Sequence, residues 1–370
     1  MQTLALRISP VRHPGLSLAV DGKHGGPRSL KDSPEVLEEA RFRRLLTESL
    51  HSFKALVVQA DQQAIQHQGE IAQPLIDQVR ASFRAIGLLM NEALGEASWL
   101  TRESKNQLGQ ELRCELVPYL LLTRSGERSY SKPSGYAGDF LTIAGFYENQ
   151  PTGIGRVGSL LDRCFLDSPG VVAVQNRRSL LVEEILRAIA AKPAGHPVYV
   201  TSLACGPAAE IFDVFARLED PTRLHVTLID MDEQALAYVA AQVTERGLHQ
   251  QIHCHRGNLI HLAAGRQKLE LPAQDLVYSI GLIDYLNDNL VLKLTNWIHA
   301  LLGPGGRVVL GSFHPRNPSM AYMDHILDWR LIHRGEADMD ELYQRSAFQR
   351  PCTQIRFEAQ GINLFAECAK

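Results

Sequence analysis

The sequence predicts an α/β fold: a Rossmann-like, doubly wound sheet of seven strands, mostly parallel, that ends in an antiparallel hairpin and is preceded by a helical cap. Three observations predict it. After residue 195, short apolar runs alternate with helical segments, the pattern of βαβ units whose parallel sheet is covered on both faces. The end, TQIRFEAQGINLFAECAK, reads instead as two alternating strands joined at Gln360-Gly361. The first third shows helical spacing with no β alternation.

Taken in order, residues 1–32 mix Pro, Gly, His and Lys without period and read as an irregular arm. SPEVLEEARF starts a helix, with Ser33 as N-cap, Pro34 at the first helical position and acidic residues in the first turn. FRRLLTESLHSFKALVVQ then sets Phe42, Leu45, Leu46, Leu50, Phe53, Leu56 and Val57 three and four apart, which makes one apolar stripe. PLIDQVRASFRAIGLLMNEAL and QELRCELVPYLLLT continue this cap over residues 33–125. Residues 126–170 are rich in Gly, Ser, Pro and aromatics and read as a linker whose GYAGDF lines a site. Residues 171–370 form the sheet domain, with strands in PVYVTSLA, LHVTLID, QIHCHRG, QDLVYSI and GRVVLGSF before the hairpin.

Composition narrows the function. The 370 residues suffice for a sizeable core, and 45% hydrophobic with 21% charged residues is ordinary for a soluble protein. A formal net charge of -3 and a pI near 6.5 argue against a nucleic-acid partner, which demands a concentrated basic surface. No signal-like apolar segment and no run of about 18 apolar residues is present, so a cytoplasmic protein without membrane insertion is expected. The six cysteines are scattered with no CxxC pair and read as reduced thiols.

Open α/β folds bind ligands at the carboxyl ends of their strands. After the first strand comes ACGPAAE, where Gly206 lets backbone approach a ligand and Ala204 and Ala208 intrude little. After the second comes Asp230, roughly 20 residues beyond the turn, where a carboxylate accepts both hydrogen bonds of a ribose diol. After the third comes Asn258, an amide able to pair with an adenine edge; after the fourth and fifth come SIGLIDYL and GSFHPRNP.

This order of turn, Asp, Asn, fourth-strand loop, LLGPGG turn and terminal hairpin resembles the class I S-adenosylmethionine (SAM) dependent methyltransferases. More narrowly, SLACGPAAE, GLIDYL, FHPRNP, DWRLIHR and GYAGDF resemble a bacterial group associated with 3-hydroxypalmitic acid methyl ester biosynthesis. The resemblance implies that Ala204, Cys205 and Gly206 cradle the methionine part of SAM and that Asp230 holds the ribose. It further implies that Met231 packs on adenine, that Asn258 and Leu259 flank its edge, and that Ser279 and Gly281 line the floor near the sulfonium.

The departure is Ser202, which stands where the family has an acid; Asp139 is the expected substitute for holding the methionine ammonium. Tyr136 and Tyr285 are the aromatics expected to face the sulfonium. Arg177, Arg178, Arg316 and Arg334 are candidates to orient a carboxylate, and His314 is the candidate general base.

The resemblance implies methyl transfer to a carboxylate or hydroxyl oxygen of a small or lipid-like acid. A second reading is cyclisation of SAM alone to azetidine-2-carboxylate with release of methylthioadenosine, and a third is a catalytically silent SAM-binding protein. Other motifs carry less. GIGRVG at 153–158 matches a dinucleotide loop without the preceding strand, and reads as a turn. His253, Cys254 and His255 lack a second ligand pair, so no metal is expected. Pro351-Cys352 lies outside the fourth-strand loop, and SIGL is not an amide clamp, so nucleobase and glutamine acceptors are disfavoured.

Overall fold

The computed structural model of the chain describes residues 34–370, so the expected arm at 1–32 and the Ser33 cap lie outside the described residues. Three long helices open it: α1 (Pro34–Gln66), α2 (Gln73–Leu94) and α3 (Arg102–Leu120). The α1 stripe buries Phe42, Leu46, Leu50, Phe53 and Val57 against α2 and α3, while Leu45 and Leu56 sit half-buried at its margin. Thr101 accepts the Ser104 N–H and so satisfies one of the free donors that begin α3.

The stretch 126–170, expected as a linker, folds largely into helices: α4 (Arg124–Ser131), α5 (Phe140–Glu148) and α6 (Gly158–Leu166). Side-chain caps explain why a Gly- and Ser-rich sequence does so. Thr123 accepts the Gly126 and Glu127 N–H groups, and Asp139 accepts those of Leu141 and Thr142. Fully buried Asp162 accepts backbone N–H groups of Ser125 and Thr152, pinning both flanking segments. Phe146, Leu161 and Phe165 then join the apolar core of the cap.

Helix α7 (Pro169–Ala190) runs from this core, where it buries Val171 and Val174, to the sheet, where it buries Leu181 and Ile185. The strands are β1 (Val198–Leu203), β2 (Leu224–Asp230), β3 (Ile252–Arg256), β4 (Gln274–Ile280), β5 (Leu302–Phe313), β6 (Gln354–Phe357) and β7 (Asn363–Ala369). They form one sheet in the order β3-β2-β1-β4-β5-β7-β6, parallel except for β7, which runs antiparallel between β5 and β6. This is the seven-stranded sheet with a terminal hairpin that the sequence predicts. Register shifts once between β4 and β5: Gln274 faces Leu302 while Leu276 faces Arg307, and GPGG takes up the difference.

One face of the sheet is covered by α7, α8 (Ala209–Phe215) and α9 (Glu233–Glu245). The other is covered by α10 (Leu259–Ala263), α11 (Asp288–Leu301) and α13 (Glu336–Arg345), whereas α12 (Met320–His325) joins the cap. Buried Glu184 of α7 bonds Arg307 of β5 and Arg356 of β6 at 2.6 Å each, holding the hairpin against the helix layer. The order reverses between β1 and β4, and such a switch point opens a crevice above the strand ends. Among the described residues, no helix is long and apolar enough to cross a membrane.

Candidate functional site

A cleft of about 1110 Å³ opens above the carboxyl ends of β1, β2 and β4, roofed by the GYAGDF segment. The turn after β1 is built from left-handed backbone: φ is +53° at Ala204, +52° at Gly206 and +49° at Ala208. Glycine adopts this region freely, whereas an alanine there costs about 1–2 kcal/mol. The two alanines are therefore small, as expected, and also strained. A Cβ added to Gly206 would meet no atom within 4 Å, so its backbone faces open space.

Asp230 ends β2 beside this turn and accepts the N–H groups of Gly206 and Asp232, each at 3.0 Å. Burial, reinforced by the neighbouring Asp232 charge, raises its carboxyl above the ordinary value. Met231 lines the cleft next to it with an exposed side chain. Across the mouth, the Tyr136 hydroxyl donates to Asp232 Oδ2 at 2.9 Å; burial and then that carboxylate raise the phenol pKa. Ala204, Cys205, Gly206, Asp230, Met231, Tyr136, Arg177, Gly281 and Tyr285 thus all line one cleft, as the sequence places them.

The deep end holds groups that sequence reasoning passed over. Glu210, only 4% exposed, comes from the first turn of α8, and the Tyr278 hydroxyl donates to it at 2.7 Å. Burial raises its carboxyl. Arg177 reaches in from α7, donating Nε–H to the Tyr147 hydroxyl at 3.3 Å. Gly281, at φ +82°, makes room for it: a Cβ there would lie 3.1 Å from Arg177 Nη1.

Asp284, in the turn after β4, takes both its hydrogen bonds on Oδ1, from Ser312 Oγ at 2.5 Å and Phe313 N–H at 3.1 Å. Burial pushes this carboxyl up to about 6. Beside it the Tyr285 hydroxyl accepts the Trp329 indole N–H at 2.8 Å and donates to Ala137 O. The acid in GPAAE and the one in GLIDYL were both visible as residues, but their convergence was not.

Five expected site residues do not line the cleft. Asp139 is spent as the cap of α5 and is ion-paired to Arg128 at 2.7 Å; burial raises its carboxyl, but Arg128 and the backbone N–H groups outweigh it and lower the value. Asn258 likewise caps α10, its Oδ1 accepting the Ile260 and His261 N–H groups, and Leu259 packs in the core beneath. Ser279 donates to Leu203 O within the sheet, because strand alternation turns Tyr278 and Ile280 to the cleft instead. His314 follows Phe313, which lines the cleft, and so points away: its Nδ1 accepts the Arg316 N–H and its Nε2 lies 2.9 Å from Glu336. Of the four candidate arginines only Arg177 faces the cleft; Arg178 pairs with Asp213, Arg316 stacks on Phe357, and Arg334 donates to the Ile283 and Leu286 carbonyls.

Comparison with known proteins agrees with this architecture. A family model described as "Putative methyltransferase" matches residues 133–365, more than half of the chain. The uncharacterized protein YnbC of Escherichia coli (strain K12) is 26% identical over 228 residues, which are 58% of this chain and 37% of that protein. The chain thus spans little more than a third of the length of that curated relative. Among solved structures, a possible exported protein from Bordetella parapertussis aligns over 92% of this chain and 99% of its own, at 18% identity and a TM-score of 0.50. The S-adenosylmethionine-dependent methyltransferase SibL in its apo form aligns over 91% and 98%, at 18% identity and a TM-score of 0.42. The expected fold is borne out, and the family match agrees with the expected methyltransferase class, whereas the narrower bacterial group is not reached by these matches.

Proposed function

Because the chain belongs to the family described as "Putative methyltransferase", we propose that it binds SAM across the β1–β4 cleft and methylates a carboxylate or hydroxyl oxygen of a small or lipid-like acid. The residues fit the cofactor. Gly206 leaves its backbone open, and Asp230 has lone pairs beyond its two amide contacts for a ribose diol. Met231 supplies an apolar face for adenine. Arg177 suits the methionine carboxylate, and Glu210 replaces, from the next helix, the acid absent at Ser202. SAM supplies an electrophilic methyl group: the oxygen–carbon bond forms as the carbon–sulfur bond breaks, and its electron pair stays on sulfur.

The chain's part is alignment and exclusion of water. Tyr285 and Trp329 form an aromatic wall at the far side of the cleft, where a ring face attracts a sulfonium by about 0.5–2 kcal/mol. An acceptor carboxylate is already ionised and needs no base. For a hydroxyl, the candidate base is Asp284, which faces the cleft where His314 does not and is held on Oδ1 by Ser312 and the Phe313 N–H.

One observation carries transfer over cyclisation. The cleft, at about 1110 Å³, exceeds the roughly 300–1,000 Å³ of sites for a single drug-sized ligand, which favours an acceptor beside SAM. A carboxylate at Glu210 also favours the ammonium form of the amine, which has no lone pair for ring closure. Incubation of the full chain with SAM, with and without a panel of acids, tests this. S-adenosylhomocysteine formed only with an acceptor is the expected result. Methylthioadenosine from SAM alone would establish the cyclase instead, and SAM binding without either product across the panel would mark a silent binder.

A further inference from the structure

Beneath α2 lies a second cavity, of about 320 Å³, that the transfer reading leaves without an occupant. Its wall is a chain of rings. Phe83 meets Tyr322 at a centroid distance of 5.9 Å, Tyr322 meets Phe165 at 6.4 Å, and Phe165 meets Phe146 at 6.2 Å, all tilted or edge-on. Cys164 also faces the chamber, and burial pushes its thiol up to about 12, so that wall stays neutral. The charged lining is Asp77, Arg80 and Arg84 of α2 with Asp167 just after α6, and Arg80 pairs with Asp167 at 2.7 Å. The chamber and the cofactor cleft share Val174, Phe313 and Trp329 as lining, so the two compartments meet at these side chains.

We propose that this chamber is the acceptor subsite and takes the aromatic body of an aryl acid, whose reactive oxygen reaches the cleft past Trp329. The acceptor role rests on the transfer reading above; the binding of an aryl body does not. Tilted rings present edges and faces in turn, which complements the quadrupole of an entering ring. A planar body also loses little rotamer freedom on entry, whereas an alkyl chain loses a good deal. At about 320 Å³ the chamber lies at the small end of ligand sites, suited to one compact ring system.

The test uses the full chain, 1-naphthoic acid and decanoic acid as probes, and Gly87→Phe. Gly87 lines the chamber from α2, and a Cβ there would meet no atom within 4 Å, so the new side chain starts from open space on the chamber wall. By titration calorimetry, naphthoate is expected to bind the unaltered chain and to bind Gly87→Phe at least tenfold more weakly, with S-adenosylhomocysteine bound equally by both. Naphthoate that does not bind, or binds both chains alike, overturns the proposal, as does decanoate bound more tightly than naphthoate. Loss of S-adenosylhomocysteine binding with naphthoate retained would sink the cofactor reading and support the chamber. Should Gly87→Phe not fold, Leu88→Trp, at a half-exposed position on the same wall, gives the same readout.

Discussion

Replacing Asp230 by Ala tests the proposed adenosine end of the site. The side chain is 8% exposed, and both oxygens already accept backbone N–H groups at 3.0 Å, so its position is locked before any ligand arrives. Removal takes away charged acceptors for a ribose diol, a net loss of about 1–3 kcal/mol, or roughly 5–150-fold in affinity. It also strands the Gly206 and Asp232 N–H groups, at roughly 1–2 kcal/mol of fold stability. Release of a buried carboxylate, whose pKa burial has already raised, offsets part of that. Calorimetric titration with S-adenosylhomocysteine, paired with a urea melt, separates the two effects. Asp230→Asn keeps the volume and one acceptor and should fall between. Affinity unchanged within twofold in the alanine variant, with the fold intact, would remove Asp230 from the site and with it the orientation assigned to the cofactor.

Two further outcomes follow from the deep end of the cleft. Glu210→Gln retains an acceptor for the Tyr278 hydroxyl but removes the charge, so SAM should bind roughly 5–100-fold more weakly while methylthioadenosine, which lacks the methionine end, is unaffected; equal losses for both ligands would contradict the assignment. For Asp284, the folded chain holds the carboxyl at about 6 against an ordinary 3.8, so it binds this proton more tightly than the unfolded chain. Stability contributed by this group is therefore lost as pH rises from about 4 to about 6, by about 3 kcal/mol in all. Urea melts across this window should show Asp284→Asn gaining on the unaltered chain as pH rises, and parallel profiles would refute the reasoning.

The strands were legible because parallel strands covered on both faces read as short apolar runs, and the hairpin because Gln360-Gly361 punctuates two strand-like runs, although β7 itself is buried along most of its length. The place of Asp230 was legible for a related reason: it stands at the end of one strand and lines the cleft there, a position that the local pattern defines. Asp139 and Asn258 stand at equally suggestive places, yet each is consumed by the N–H groups that open its own helix. A cap and a ligand contact call for the same residue types. Only the three-dimensional path tells them apart.

The chain alone determined the order of elements, the sheet with its terminal hairpin and the place of the Asp230 carboxylate at the end of β2, since each follows from patterns within a few residues. Tertiary structure decided which charges meet. Arg177, Glu210 and Asp284 come from α7, α8 and the turn after β4, and nothing in their own segments marks them as neighbours. It likewise turned Phe313 toward the cleft and His314 away from it, through a two-residue period whose phase is set by what packs on each face. Periodicity tells a residue which side it is on; burial against distant elements decides what it finds there.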